Sequence, residues 1–303
     1  MSRAKRLLAA ALLALAGLLA FVYARPVSAL EALGELVLRL QGVRSREVQA
    51  GSYRLRYLEA GSGPPLVLVH GLGSHAMQDW GRLVAPLARR YHVYAPDLPG
   101  FGRSERPASA DYSIPMQVEA VRGFMAALGV TRARVAGISM GGWIVARLAA
   151  ERPELVERLV VVAPAGLRPD ASAPIPVEVL FPQDEDGVRR LIAAVRHKPP
   201  VAPAFVLRDI ARRKLRDEWI VRRTLESMRP GRDWVNGALG GARMPVLIVW
   251  GRQDALVPVA YAAPFQAEFA NARLELLHDC GHVPMADCPE AFDPLLEAFL
   301  AAP

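Results

Sequence analysis

"AGISMGGW", residues 136–143, sets one serine among three glycines, between an apolar stretch and a helix-like one. Glycine inside a strand or helix costs about 0.5–1 kcal/mol relative to alanine. Gly137, Gly141 and Gly142 therefore mark a place where side chains do not fit. Gly137-Ile138-Ser139-Met140-Gly141 has the spacing G-x-S-x-G. That spacing predicts a strand turning straight into a helix, so tightly that the positions two before and two after the serine must be bare. The hydroxyl of Ser139 would stand exposed above a sheet, backed by a helix N-terminus that favours developing negative charge. A glycine-rich turn with a chance serine would give the same string, so the rest of the chain decides its meaning.

Outward from this turn the chain alternates strand and helix. "LVLVH" at 66–70 is a continuous apolar run, as expected of a strand buried on both faces. "HVYAPD" at 92–97 follows, and "MQVEAVRGFMAALG" at 116–129 has helical spacing and a glycine stop. "RVAGI" at 134–138 leads into the serine turn and a helix reaching about Glu151. "RLVVVAPAG" at 158–166, "PVLIVWG" at 245–251 and "RLELLHD" at 273–279 are later strands. Upstream, "YRLRYLEAG" alternates and ends in a turn. Repeated β–α units predict a mostly parallel sheet with helices on both faces. The rhythm stops between Leu167 and Arg243, where proline, arginine and helical patches dominate. A stretch that long needs a role. It is read as a helical cap, 167–243, inserted into a core of 47–166 and 244–303.

A serine hydroxyl is a poor nucleophile until a histidine removes its proton, and that histidine needs a carboxylate to orient it. Downstream, "WGRQDALVP" places Asp254 just after a strand, and "HDCGHVPM" places His282 after the next. Both would lie at the carboxyl edge of the sheet with Ser139, where such sheets keep their sites. Of the six histidines, His278 is the nearest rival base, but it ends a strand. Asp170 is the alternative acid, better read as a surface aspartate. Asp279 and Asp287 are too close in sequence to His282 to reach it from another strand. A tetrahedral oxyanion needs two N–H donors. Met140, next after the serine, supplies one. The loop His70-Gly71-Leu72-Gly73 offers the amide of Leu72 for the other, with His70 read as a brace for this loop.

With these residues assembled, residues 47–301 resemble the α/β-hydrolase superfamily through "HGLG", "PDLPGFGRS", "GISMGG", "WGRQDALVP" and "CGHVPM". The resemblance implies an eight-stranded, mostly parallel sheet with helices on both faces. It also implies a catalytic triad of Ser139, Asp254 and His282. Leu72 and Met140 would form the oxyanion hole, with His70, Gly71, Gly137, Gly141 and Gly142 in support. "HKPP", "DCGHVPM" and the N-terminal helix are similar to the membrane-anchored monoacylglycerol lipases and bacterial esterases. That implies hydrolysis of acylglycerols or short- and medium-chain esters through an acyl-serine, with no cofactor and no metal. Ile138 departs from the commoner asparagine or histidine and weakens the subfamily assignment. Carbon–carbon bond hydrolases of aromatic ring-cleavage products share "SMGG", but usually carry tryptophan after the histidine, where Val283 stands here. Dehalogenases and epoxide hydrolases need an aspartate in place of Ser139. A non-catalytic binding protein of this fold would not need an intact triad.

The N-terminus differs from the rest. Arg3, Lys5 and Arg6 precede an uncharged run from Leu7 to Ala24. Those 18 residues span about 27 Å as a helix, close to the bilayer core. A signal peptide has a shorter apolar region, although "VSA" at 27–29 has the form of a cleavage site. The length favours an anchor over residues 1–25, and the basic end should stay cytoplasmic with the rest translocated. Residues 26–46 read as an amphipathic helical linker near a lipid surface. A net charge of +7 comes from scattered arginines, without the aromatic-interleaved basic motif of nucleic-acid binding. The cap holds thirteen Lys/Arg against four Asp/Glu between Val188 and Arg232, a solvated face or a foot on anionic headgroups. Its Val179, Leu180, Leu191, Ile192, Phe205 and Val206 are expected to line or support an acyl pocket. The two cysteines, Cys280 and Cys288, flank His282 and read as a free buried pair, or as a disulfide in an oxidising compartment.

Overall fold

A computed structural model describes residues 2–228, 231 and 233–302. Met1, Arg229, Pro230, Arg232 and Pro303, which fall in the expected anchor, cap and core, lie outside the described residues. Eight strands form one sheet in the order β1-β2-β4-β3-β5-β6-β7-β8. They are β1 (Arg44–Ala50), β2 (Tyr53–Ala60), β3 (Pro65–Val69), β4 (His92–Pro96), β5 (Ala133–Ile138), β6 (Val156–Val162), β7 (Val246–Gly251) and β8 (Ala272–Leu277). β1 and β2 pair antiparallel, as do β2 and β4, and every later pair is parallel.

Side chains alternate across a strand, and this divides the core in two. Val67, Val69 and Val135 point to a cluster with α4 (Ile114–Ala127) and α5 (Met140–Glu151). Leu66, Leu68, Ala136 and Ile138 point to the opposite cluster, with α3 (Ala76–Leu87) and α10 (Pro289–Ala301). The short helix α8 (Ala262–Ala267) lies in the last crossover, between β7 and β8, and α9 (Pro284–Asp287) follows β8. Both faces are covered, so the central strands read as unbroken apolar runs.

Between β6 and β7 lie α6 (Glu185–Val195) and α7 (Ala204–Met228). They share a small core of their own, Val188, Leu207 and Ala211 with Ile192 packed against it. Ile220 and Val221, further along α7, join the main core. Two expectations about the cap change here. Ile192 supports the cap's internal core, because Val188 and Leu207 already satisfy it. Phe205 stacks on Tyr23 with ring centroids 5.2 Å apart. It thus lines a groove of about 590 Å³ between the N-terminal helix and α7.

That N-terminal helix, α1 (Arg3–Ala24), is long and apolar enough to cross a membrane. Its Leu12, Leu13, Leu15, Leu18 and Leu19 are exposed. α2 (Pro26–Leu40) follows at once and lays Leu38 against α3. The linker expected over 26–46 is shorter than anticipated, because β1 begins at Arg44. Its sequence "RSREVQA" is almost wholly exposed, so no apolar alternation announces it.

Candidate active site

The serine turn lies where β5 meets α5. Ser139 adopts φ 55° and ψ −121°, a left-handed backbone that L residues avoid. Such strain costs on the order of 1–3 kcal/mol and persists only where the surroundings impose it. The surroundings here are backbone. A Cβ on Gly137 would lie 2.3 Å from the Gly141 carbonyl oxygen. One on Gly141 would lie 2.4 Å from the carbonyl oxygens of Val69 and His70, and one on Gly142 would meet Pro164 at 2.9 Å. The Ser139 amide donates to the Val162 carbonyl at 2.9 Å, which fixes the turn to β6. Of residues 135–146, Ser139 alone is not buried. Met140 opens α5, so its N–H is one of the helix's orphan donors.

The loop after β3 is held from both ends. The His70 ring is buried, and its Nε2 accepts from the Leu98 amide at 2.9 Å. Nδ1 must then carry the proton and donate to the Gly71 carbonyl at 2.8 Å. Burial pushes the imidazole pKa down, against the charges of Asp97 and Asp79, so the ring is a neutral brace. Asp79, in the first turn of α3, accepts from the Gly71 amide at 2.8 Å and the Ser74 hydroxyl at 2.6 Å. From the cap, Lys214 donates to the Gly73 carbonyl at 2.8 Å. Burial lowers its pKa, with Asp79 and Asp217 pulling the other way. Leu72 sits half-buried between these fixed points. The loop runs close to the serine turn, since a Cβ on Gly71 would lie 3.3 Å from Ser139 Cβ.

Asp254 and His282 meet beyond the ends of β7 and β8. Oδ2 of Asp254 accepts from His282 Nδ1 at 2.8 Å, and both side chains are buried. Oδ1 accepts from the amides of Leu256 and Val257, each at 2.9 Å, so the carboxylate cannot rotate away. Burial opposes charge on the imidazole, but Asp254, by charge and hydrogen bond, and Asp79, by charge, outweigh it and hold the pKa above 6.5. His278 is exposed and Asp170 is fully exposed, so neither of these alternatives is brought to Ser139.

The His282 loop holds two features that differ from or go beyond the expectations. Cys280 and Cys288 are joined by a disulfide, with Cα atoms 5.7 Å apart, in place of the free pair. Eight residues of separation and a turn through α9 bring them within bonding range. Asp287 turns its carboxylate to the Gly281 amide, the His197 amide and Arg196. Asp79, Arg196 and Lys214 had no sequence signal beyond an acid in a helix's first turn and basic residues in an arginine-rich stretch. Among the described residues, no group of three or more His, Cys, Asp or Glu side chains is placed to hold a metal ion.

Residues 64–199 match the alpha/beta hydrolase fold family. The chain is 31% identical over 280 residues to 2-hydroxymuconate semialdehyde hydrolase of a Pseudomonas species, covering 84% of this chain and 93% of that one. A crystal structure described as a membrane phospholipase A, a bacterial virulence factor, superposes with a TM-score of 0.85 at 32% identity, over 98% of each chain. The 2-hydroxy-6-oxo-6-phenylhexa-2,4-dienoate hydrolase of Rhodococcus superposes with a TM-score of 0.77 at 28% identity, over 86% of this chain and 99% of that one. This chain belongs to the α/β-hydrolase superfamily and is a hydrolase.

Proposed function

We propose that this protein is a serine hydrolase of carboxylic esters. Its substrates are lipid acyl esters, monoacylglycerols and related short- and medium-chain esters, met at a membrane surface. The observation that carries the chemistry is the Asp254–His282 hydrogen bond, in loops that leave the same sheet edge as the half-buried, strained Ser139. In this reading His282 Nε2 takes the Ser139 proton as Oγ attacks the ester carbonyl. The amides of Leu72 and Met140 receive the oxyanion, the second of them at a helix N-terminus. The histidine then gives its proton to the leaving alcohol, and a water repeats the sequence on the acyl-serine. Asp254 holds the tautomer throughout. No cofactor enters. Residues 167–243 act as the cap over this site.

The anchor separates this reading from its rival. Likeness to the membrane phospholipase A runs over 98% of the chain, whereas the ring-cleavage hydrolases match 84–86%. α1 presents its apolar side chains outward, as a bilayer helix would. Arg3, Lys5 and Arg6 would hold its start in the cytoplasm and leave the core on the far side. The Cys280–Cys288 disulfide suits an oxidising compartment there. The rival, carbon–carbon bond hydrolysis of ring-cleavage products, is favoured by the 31% identity to 2-hydroxymuconate semialdehyde hydrolase.

Detergent-purified protein offered a series of p-nitrophenyl esters, monoacylglycerols, phospholipids and a ring-cleavage diketone decides between them. Ester turnover over a broad range of short and medium acyl chains is expected, because each apolar contact discriminates by only about 1–3 kcal/mol. Turnover should vanish in Ser139→Ala. Faster turnover of the diketone than of every ester would transfer the assignment to the rival.

A further inference from the structure

The carboxylate of Asp287 is fully buried, although it belongs to a four-residue helix beside an open loop. It is not idle. Oδ1 accepts from Arg196 Nε at 2.5 Å, and Oδ2 accepts from the amides of His197 at 2.8 Å and Gly281 at 2.9 Å. Arg196 also donates through Nη2 to the Ala286 carbonyl at 2.9 Å. The His282 amide itself donates to the Val195 carbonyl at 3.0 Å. Residues 195–197 leave the end of α6 in the cap, so the backbone that carries His282 is bonded on one side to the cap. Bare backbone makes the fit possible, since a Cβ on Gly281 would lie 2.6 Å from the His197 nitrogen.

We propose that Arg196 and Asp287 are positioning residues that fasten His282 to the cap, so that seating the cap and aligning the base are one event. This rests on the reading of His282 as the general base. Two consequences separate alignment from simple stability. Only the neutral imidazole accepts a proton, so a pKa above 6.5 places the acid limb of kcat/KM above pH 6.5, with activity rising as pH rises through it. Asp254 and Asp79 are the charges that hold it there. Arg196, His197 and Asp287 surround the backbone. Loosening the loop weakens the Asp254 contact and moves the limb down toward 6.5. Loss of a nearby cation alone would move it up.

The test compares wild type with Arg196→Gln, Arg196→Lys and Asp287→Asn. It reads the rate at which a fluorophosphonate labels Ser139, then the pH profile on p-nitrophenyl acetate. In Arg196→Gln, labelling and kcat should fall by about tenfold to about a hundredfold, the effect of a displacement near 1 Å. KM should stay near wild type and the limb should move to lower pH. Arg196→Lys keeps the charge and one of the two contacts, and should recover part of the rate. Where Arg196→Gln does not fold, the lysine variant must still show a rate below wild type and a limb at lower pH. A folded variant with wild-type labelling rate and limb, altered only in thermal stability, would overturn the proposal. Failure of wild-type Ser139 to label would overturn the reading of the nucleophile instead.

Discussion

Ser139 and His282 are fixed by opposite means. Ser139 is held by missing side chains: Gly137, Gly141 and Gly142 let three backbone segments close to within contact, and the turn has no room to relax. His282 is held by added groups: the Asp254 carboxylate, the Asp287–Arg196 ion pair, a cap carbonyl and a disulfide. The first kind of restraint is local and all-or-none. The second is distributed, drawn from the cap and the loops after β7 and β8, and can be removed piece by piece. Substitutions on the serine side should therefore be severe, whereas those around the histidine should be graded.

The largest effect tests whether the two sides form one machine. Ser139→Ala and His282→Ala should each lower kcat by about 10⁴-fold or more, and the double variant should cost little beyond either. Multiplying losses in single-turnover assays would show two independent contributions. Next comes the serine side alone. In Gly137→Ala the new methyl must displace the Gly141 carbonyl from 2.3 Å. Overpacking of this kind costs about 1–3 kcal/mol, occasionally more. Chemical unfolding should register that loss, and Ser139 labelling should drop sharply even where the fold survives. A glycine variant that labels normally would show that the turn can relax. The smallest effect is on the histidine side. Cys280→Ser with Cys288→Ser opens a closed loop of eight-residue separation, worth about 2–3 kcal/mol by chain entropy. Calorimetry should show a lower Tm, while kcat at 25 °C falls less than in Arg196→Gln. A larger loss of rate than in that variant would make the disulfide, not the cap, the main restraint on His282.

The sheet was legible because central strands buried on both faces must be apolar throughout. "LVLVH" and "PVLIVWG" could hardly be anything else. β1 was not legible, because an edge strand that turns only Val48 and Ala50 to the core carries too short a pattern. Ser139, Asp254 and His282 stood out because local chain chemistry marks each of them: a glycine turn, and two loops directly after apolar strands. What escaped was long-range. Arg196 lies 91 residues from Asp287 and Lys214 lies 141 from Gly73, and neither arginine nor lysine is conspicuous in so basic a stretch. Phe205 was misassigned for the same reason. An aromatic residue on a cap helix gives no hint that Tyr23 of α1 will cover it.

The joint between α1 and the body has a mechanical consequence. Directly after α1, the Val27 amide donates to Asp209 at 3.1 Å and Arg212 reaches the Ala24 carbonyl at 2.9 Å, both on cap helix α7. One turn on, Glu31 binds Arg213 of the same helix and sits 3.7 Å from His75, at the start of α3. Those contacts keep its carboxyl at about 2, despite burial that works the other way. The node thus stays ionised across the whole neutral and mildly acidic range. α1 and α2 meet at Arg25 with no slack between them. Tension or tilt applied to α1 is delivered first to α7 and to the loop before α3, and one helix further on to β2, where Glu35 of α2 meets Arg56 at 3.5 Å. The N-terminal helix is a tiller fixed to the cap at its root, with the core gripped only further along α2, at Glu35 and Leu38.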